Sequence, residues 1–264
     1  MRALRLLTAA IVVLTSATCY ATTVVVKIDG KSIFIAADNR QGLSTNGDSP
    51  QFSDNACKIL LLGHSVVAAM GEVTHSHDDA EGSKLLVDAL ADARAAAAAA
   101  SVGSDDTTAL AVQWGKLSVK HVADFYNSHL DSAMKLRGVA RTGLNAAIFV
   151  GWNNHVPIVR TDFVFLDNGN FEAADTSFPM LVDDNSLNAT TQELIAGTTD
   201  RAKQSMQRWR VVAQKYPASE RVWRHLMFLI SETAKIDNTV SQSSDVLQVS
   251  DSGKIIWLHR SICK

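Results

Sequence analysis

One junction in this chain would create a reactive residue if the chain were cut there. Cys19-Tyr20-Ala21 is followed by Thr22-Thr23-Val24-Val25-Val26, and cleavage after Ala21 leaves Thr22 with a free α-amine beside its own hydroxyl. A threonine hydroxyl is a weak nucleophile and needs a base within hydrogen-bond reach. A terminal amine, with an ordinary pKa of about 7.7–8.0, is partly neutral at physiological pH and can take that proton directly or through one water. One residue then supplies both nucleophile and base for acyl transfer. By itself, a Thr-Thr-Val-Val-Val run is in most proteins merely the start of a strand.

The cut has a visible origin. Residues 1–21 read as a secretory signal: Arg2 and Arg5 supply the charged start, Leu6 to Leu14 the apolar core, and Cys19-x-Ala21 a small-residue cleavage pattern. A cut after Ala17 also satisfies the small-residue rule and would expose Thr18. The apolar run is far shorter than the roughly 20 residues that span a bilayer, so no membrane span is expected in the mature form. The expected location is the periplasm or the exterior.

Removing 21 of the 264 residues leaves 243, enough for a single domain over residues 22–264 with a substantial core. The formal charge of −2 and the lack of a basic block argue against nucleic acid as a partner. With Cys19 removed, Cys57 and Cys263 remain in a compartment that permits disulfides. Paired and separate thiols are both compatible with the sequence.

The elements that must hold Thr22 begin with a hairpin, Thr23 to Ile28 and Ser32 to Ala37 around the Asp29-Gly30 turn. A polar loop over Gln41 to Asn55 leads to strands at Lys58 to Leu62 and Ser65 to Met70. Helices are expected from Asp79 to about Ser101 and from Thr107 to Met134. Strands follow at Ala146 to Trp152, Ile158 to Phe165 and Asn170 to Ala174. A second helix pair is read over Thr191 to about Lys215 and Ser219 to about Ala234, then strands at Asp245 to Val249 and Lys254 to His259. Strands grouped on either side of helix pairs predict an α+β fold, a four-layer α/β/β/α sandwich with two antiparallel sheets between helix layers.

This pattern resembles the proteasome β-subunit branch of the N-terminal nucleophile hydrolases. Thr22-Thr23-Val24-Val25-Val26 with Ile35-Ala36-Ala37-Asp38-Asn39-Arg40 looks like the family's opening hairpin, and Asp38 stands sixteen residues after Thr22, the family's spacing. Counting from Thr18 or Thr23 misses that register. Cys57-Lys58-Ile59 resembles the segment that delivers the family's lysine, and Ala68-Ala69-Met70-Gly71 the strand end whose glycine faces the oxyanion. Ile148 to Trp152 looks like the central strand after the first helix pair. Asp237 and Ser241 lie where the family keeps an aspartate and a serine around the nucleophile's amine. The sequence departs from the family in a loop about four residues longer between Arg40 and Lys58 and in one extra residue between Asp237 and Ser241. Ser177-Phe178-Pro179-Met180 also stands where the family has a Ser-Gly-Ser element.

The resemblance implies a threonine protease or amidohydrolase that cleaves a peptide or small amide through an acyl-threonine intermediate, without cofactor or metal. Thr22 is then the nucleophile and base. Lys58 tunes it electrostatically, since a neighbouring ammonium disfavours further protonation. Asp38 orients Lys58, as the third member of a triad orients its base. Arg40 would support Asp38 by a bidentate contact. The Gly71 N–H would stabilise the oxyanion, a contribution of roughly 3 kcal/mol per donor. A homo-oligomer accords with the family's ring assembly, whose contacts are not readable in one chain.

Two other readings compete. A fold relative could have lost catalysis and serve in assembly or binding. Alternatively, His75-Ser76-His77-Asp78-Asp79 gathers alternate histidines with carboxylates, as a metal-dependent hydrolase would. That segment lacks the further histidine of the metallo-β-lactamase pattern, and Asp78 and Asp79 equally suit a helix start.

Overall fold

The computed structural model describes residues 22–43, 51–69, 75–78, 84–99, 107–128, 141–167, 170–175, 181–182, 191–197, 205 and 208–264. Within them the chain is mixed α+β, built on two antiparallel sheets with helices packed against them.

Strands β1 (Thr23–Asp29) and β2 (Ser32–Asp38) form the predicted hairpin, with Val24 opposite Ala37 and Asp29 opposite Ser32. Gly30 takes a φ of +57° in the turn, a conformation that costs a residue without Cβ little. The pair lies in the middle of a six-stranded sheet. On one side β1 pairs with β13 (Thr191–Gly197), which pairs with β12 (Leu181–Val182). On the other, β2 pairs with β14 (Ser244–Ser250), and β14 with β15 (Ile255–His259). Being covered on both faces, β1 and β2 carry continuous apolar runs in place of an alternation.

The second sheet has the order β11-β10-β9-β6-β5, from β11 (Asn170–Asp175), β10 (Val156–Asp167), β9 (Arg141–Asn153), β6 (Ser65–Ala69) and β5 (Ile59–Leu62). Short two-stranded ribbons join β3 (Gln41–Leu43) to β4 (Gln51–Ser53), and β7 (His75–Asp78) to β8 (Lys84–Val87).

Side-chain alternation along the strands divides the core. Val24, Val26, Ile33, Ile35 and Leu247 of the first sheet share one buried cluster with Val66, Ala68, Ile148, Val150 and Phe163 of the second. The intervening residues face the other way. Val67, Ala69, Ala147 and Phe149 pack with α1 (Ala89–Ala99) and α2 (Thr107–Ser128), whose Trp114 meets the Phe149 ring edge-on. Val25, Phe34, Ala36 and Val246 pack with Leu226, Leu229 and Ile230 of α3 (Arg221–Ala234). Trp209 stacks on His225 and packs on Phe228, so the aromatic residues of this region serve helix packing.

Several sequence expectations are corrected. Thr191–Gly197 is a strand, not the start of a helix, because its backbone completes the free edge of β1 along all seven residues. Residues 84–87 are also a strand; helix begins only at Ala89, where Asp88 caps it by accepting from the N–H groups of Leu90 and Ala91. The expected loop over 41–55 contains the β3–β4 ribbon. His75–Asp78 belongs to β7 and does not open a helix. No helix among the described residues is long and apolar enough to cross a membrane.

Candidate active site

Thr22 stands immediately before β1 in the first sheet, and Asp38 ends β2 beside it. Lys58 comes from the second sheet. It directly precedes β5, and its carbonyl accepts the N–H of Ala69 at 2.9 Å, extending the β5–β6 ladder by one step. The three side chains therefore meet where the ends of both sheets come together. All three are buried, at 2% exposure for Thr22, 1% for Lys58 and 0% for Asp38.

Lys58 Nζ donates to Thr22 Oγ1 at 2.7 Å and to Asp38 Oδ1 at 3.1 Å. An ammonium aimed at the hydroxyl oxygen stabilises negative charge there as the proton leaves. Asp38 is fixed from every side. Its Oδ1 also accepts the Thr23 N–H at 2.7 Å, and Oδ2 accepts those of Arg40 at 3.0 Å and Ser241 at 3.2 Å. Burial pushes the Asp38 carboxyl above its ordinary range, while the Lys58 charge and the three N–H donors oppose that rise. Asp38, Lys58 and Thr22 thus form a buried relay: a hydroxyl, an ammonium that donates to it, and a carboxylate that accepts from that ammonium and from three backbone N–H groups.

The other expected residues fall in different places. The Arg40 guanidinium does not support Asp38 by a fork. It forks onto Asp54 at 2.6 and 2.8 Å and also donates to the Asn238 carbonyl, while its backbone N–H serves Asp38. The hydrogen bond to Asp54 raises the Arg40 guanidinium and lowers the Asp54 carboxyl. Ser241 reaches Asp38 through its backbone, and its hydroxyl accepts the Ser243 N–H at 3.0 Å. Asp237 accepts the N–H of Thr239 at 2.8 Å and its hydroxyl at 2.5 Å, forming the turn that leads to Ser241. Gly71 lies outside the described residues, as do Ser177 to Met180. Among the described residues no three of His, Cys, Asp or Glu gather as metal ligands would.

Two features of the site surroundings escaped the sequence reading, and a third, the cysteine pairing, was left open by it. Asp54 is the partner of Arg40. Cys57, adjacent to Lys58, is joined to Cys263 by a disulfide across 206 residues of chain. Asn39 and Asp245, both fully buried, hydrogen-bond to each other directly behind Asp38. An Asn directly after a candidate carboxylate was visible, but nothing in the chain pointed it toward a residue 206 positions away.

No protein-family model matches this chain, and no curated protein matches it.

Proposed function

We propose that the chain is an exported N-terminal threonine hydrolase of the proteasome-like branch of the N-terminal nucleophile hydrolases. Its fold is read as a four-layer α/β/β/α sandwich over residues 22–264. The three buried clusters, one between the sheets and one on each outer face, support that layering. Removal of residues 1–21 activates it, by exposing the Thr22 amine in the periplasm or outside the cell.

The observation that carries this reading is the 2.7 Å hydrogen bond from Lys58 to the hydroxyl of Thr22, the first residue behind the predicted cut. In the reaction the Thr22 amine takes the hydroxyl proton, and Oγ1 attacks the carbonyl carbon of a peptide or small amide. Lys58 stabilises the charge that develops on Oγ1. The tetrahedral intermediate collapses with cleavage of the C–N bond, and the α-ammonium returns its proton to the departing amine. Water, deprotonated by the same amine, then hydrolyses the acyl ester at Thr22.

Edman sequencing of the exported protein, followed by treatment with a β-lactone, tests this. The expected result is a chain beginning at Thr22 that is acylated on that residue, and a Thr22→Ala variant that is not. A first residue other than Thr22, or labelling that persists in Thr22→Ala, overturns the reading.

A further inference from the structure

Every polar group of Asn39 is hydrogen-bonded, and two of them, the backbone carbonyl and Nδ2, join the segments that deliver Asp38 and Lys58. Its backbone carbonyl accepts the Ala56 N–H at 3.0 Å, and its side-chain Nδ2 donates back to the Ala56 carbonyl at 3.3 Å. Its own N–H donates to the Ser243 carbonyl at 3.1 Å, and its Oδ1 accepts the Ser243 hydroxyl at 2.9 Å. Asn39 directly follows Asp38, and Ala56 stands two residues before Lys58. The clamp thus fixes the separation of the two backbones from which the carboxylate and the ammonium project.

The orientation of the Asn39 amide is set from behind. Its Nδ2 also donates to Asp245 Oδ2 at 2.5 Å. The other Asp245 oxygen accepts the N–H groups of Ser261 at 2.5 Å and Ile262 at 3.1 Å, with Cys263 at 3.3 Å. Turning the amide over would set Oδ1 against the Asp245 carboxylate and leave two buried acceptors without their donor. Asp245 therefore ties three things together: the Asn39 clamp, the C-terminal residues 261–263, and through the Cys57–Cys263 disulfide the residue next to Lys58.

We infer that Asn39 and Asp245 act as one positioning pair for the Thr22 site, holding Lys58 and Asp38 at the separation the threonine needs. This rests on the reading of Thr22 as nucleophile. Neither residue touches Thr22 in the hydrogen bonds described, so the effect passes through the backbones of residues 38 and 56–58. A purely structural role would change how many molecules are folded; a positioning role changes how fast each folded molecule reacts.

The test is β-lactone labelling of the mature protein, read as two numbers: the fraction of molecules labelled at completion and the rate constant at saturating reagent. Asn39→Ala removes the clamp's side chain. Asp245→Asn keeps the shape and one acceptor for the tail but sets an amide donor against the Asn39 amide. Each variant is expected to lower the rate constant roughly ten- to a hundredfold, with the labelled fraction and the half-saturating concentration unchanged. The double variant is expected to react no more slowly than the slower single one. A rate constant equal to wild type in the molecules that do label, whatever their fraction, overturns the inference, as does a double variant slowed by the product of the two. If either variant fails to fold, the other decides. Absence of label from wild-type Thr22 overturns both this inference and the hydrolase reading, whereas label at an unchanged rate in the variants overturns this inference alone.

Discussion

The Lys58 ammonium lies 2.7 Å from the Thr22 hydroxyl although 36 residues separate them and they project from different sheets. Replacing Lys58 by Met removes the one ammonium that serves both Thr22 and Asp38. The reaction of Thr22 with a β-lactone is expected to slow at least about a hundredfold, the size of effect that losing one preorganised donor to a developing charge produces. The same change leaves Asp38 buried without its cation, a loss of about 3–5 kcal/mol. Adding Asp38→Asn should recover part of that stability and none of the reactivity. Urea unfolding and labelling rates on the two variants separate the effects; full recovery of reactivity in the double variant would contradict the role given to Lys58.

The Cys57–Cys263 bridge joins residues 206 positions apart. Such a bridge stabilises chiefly by restricting the unfolded chain, and its removal costs about 2–5 kcal/mol. Cys263→Ser is therefore expected to lower Tm by roughly 5–15 °C for a domain of this size. Scanning calorimetry with and without a dithiol gives the measurement: wild type should shift on reduction and Cys263→Ser should not.

Gly151 on β9 faces the start of α2 so closely that a Cβ there would sit 2.1 Å from Thr107 Oγ1. Thr107 is itself buried and shares a 2.8 Å hydrogen bond with Ser65. Gly151→Ala is expected to destabilise by about 1–3 kcal/mol through overpacking. Thr107→Ala in the same chain should return part of it, because the atom in the way is gone. Chemical denaturation of the four-member cycle checks the coupling; strictly additive losses would contradict it.

The Arg40 fork holds the Asp54 carboxyl below its ordinary value of 3.8. A carboxylate whose folded pKa is depressed contributes stability above its unfolded pKa, and loses that contribution as the pH falls through the folded value. The gap in urea midpoint between wild type and Asp54→Asn should therefore hold steady from pH 7 to about 5 and close on acidification below 3.8. A gap that does not narrow at all below pH 3.8 would mean that the contact does not titrate with Asp54.

Some of this was legible in the chain and some was not, for physical reasons. The opening hairpin announced itself, because β-branched runs flank an Asp-Gly turn and both are local signals. Thr191–Gly197 did not. Gln192, Glu193, Leu194 and Ala196 favour helix locally, and only the free edge of β1, distant in sequence, makes them a strand. Thr22 and Asp38 were found by their spacing and Lys58 by its flanking residues, each by resemblance to a known family, and the structure brings the three side chains together. Arg40 was read as a bidentate support for Asp38, yet Asp54 offers its guanidinium a more open, bidentate partner. The Asn39–Asp245 pair left no trace in sequence, since two polar residues far apart carry no periodicity and no spacing rule.

The central claim is that Thr22 becomes a free N-terminus whose amine and hydroxyl act together. An α′,β′-epoxyketone tests both groups at once, because its two electrophilic centres close a ring only through an amine and a hydroxyl on the same residue. Peptide mass spectrometry of the treated mature protein should find the reagent bridging the Thr22 nitrogen and Oγ1, and find none on Thr22→Ala. A Thr22 that remains unmodified, or that is still joined to Ala21 in the exported protein, would contradict the account.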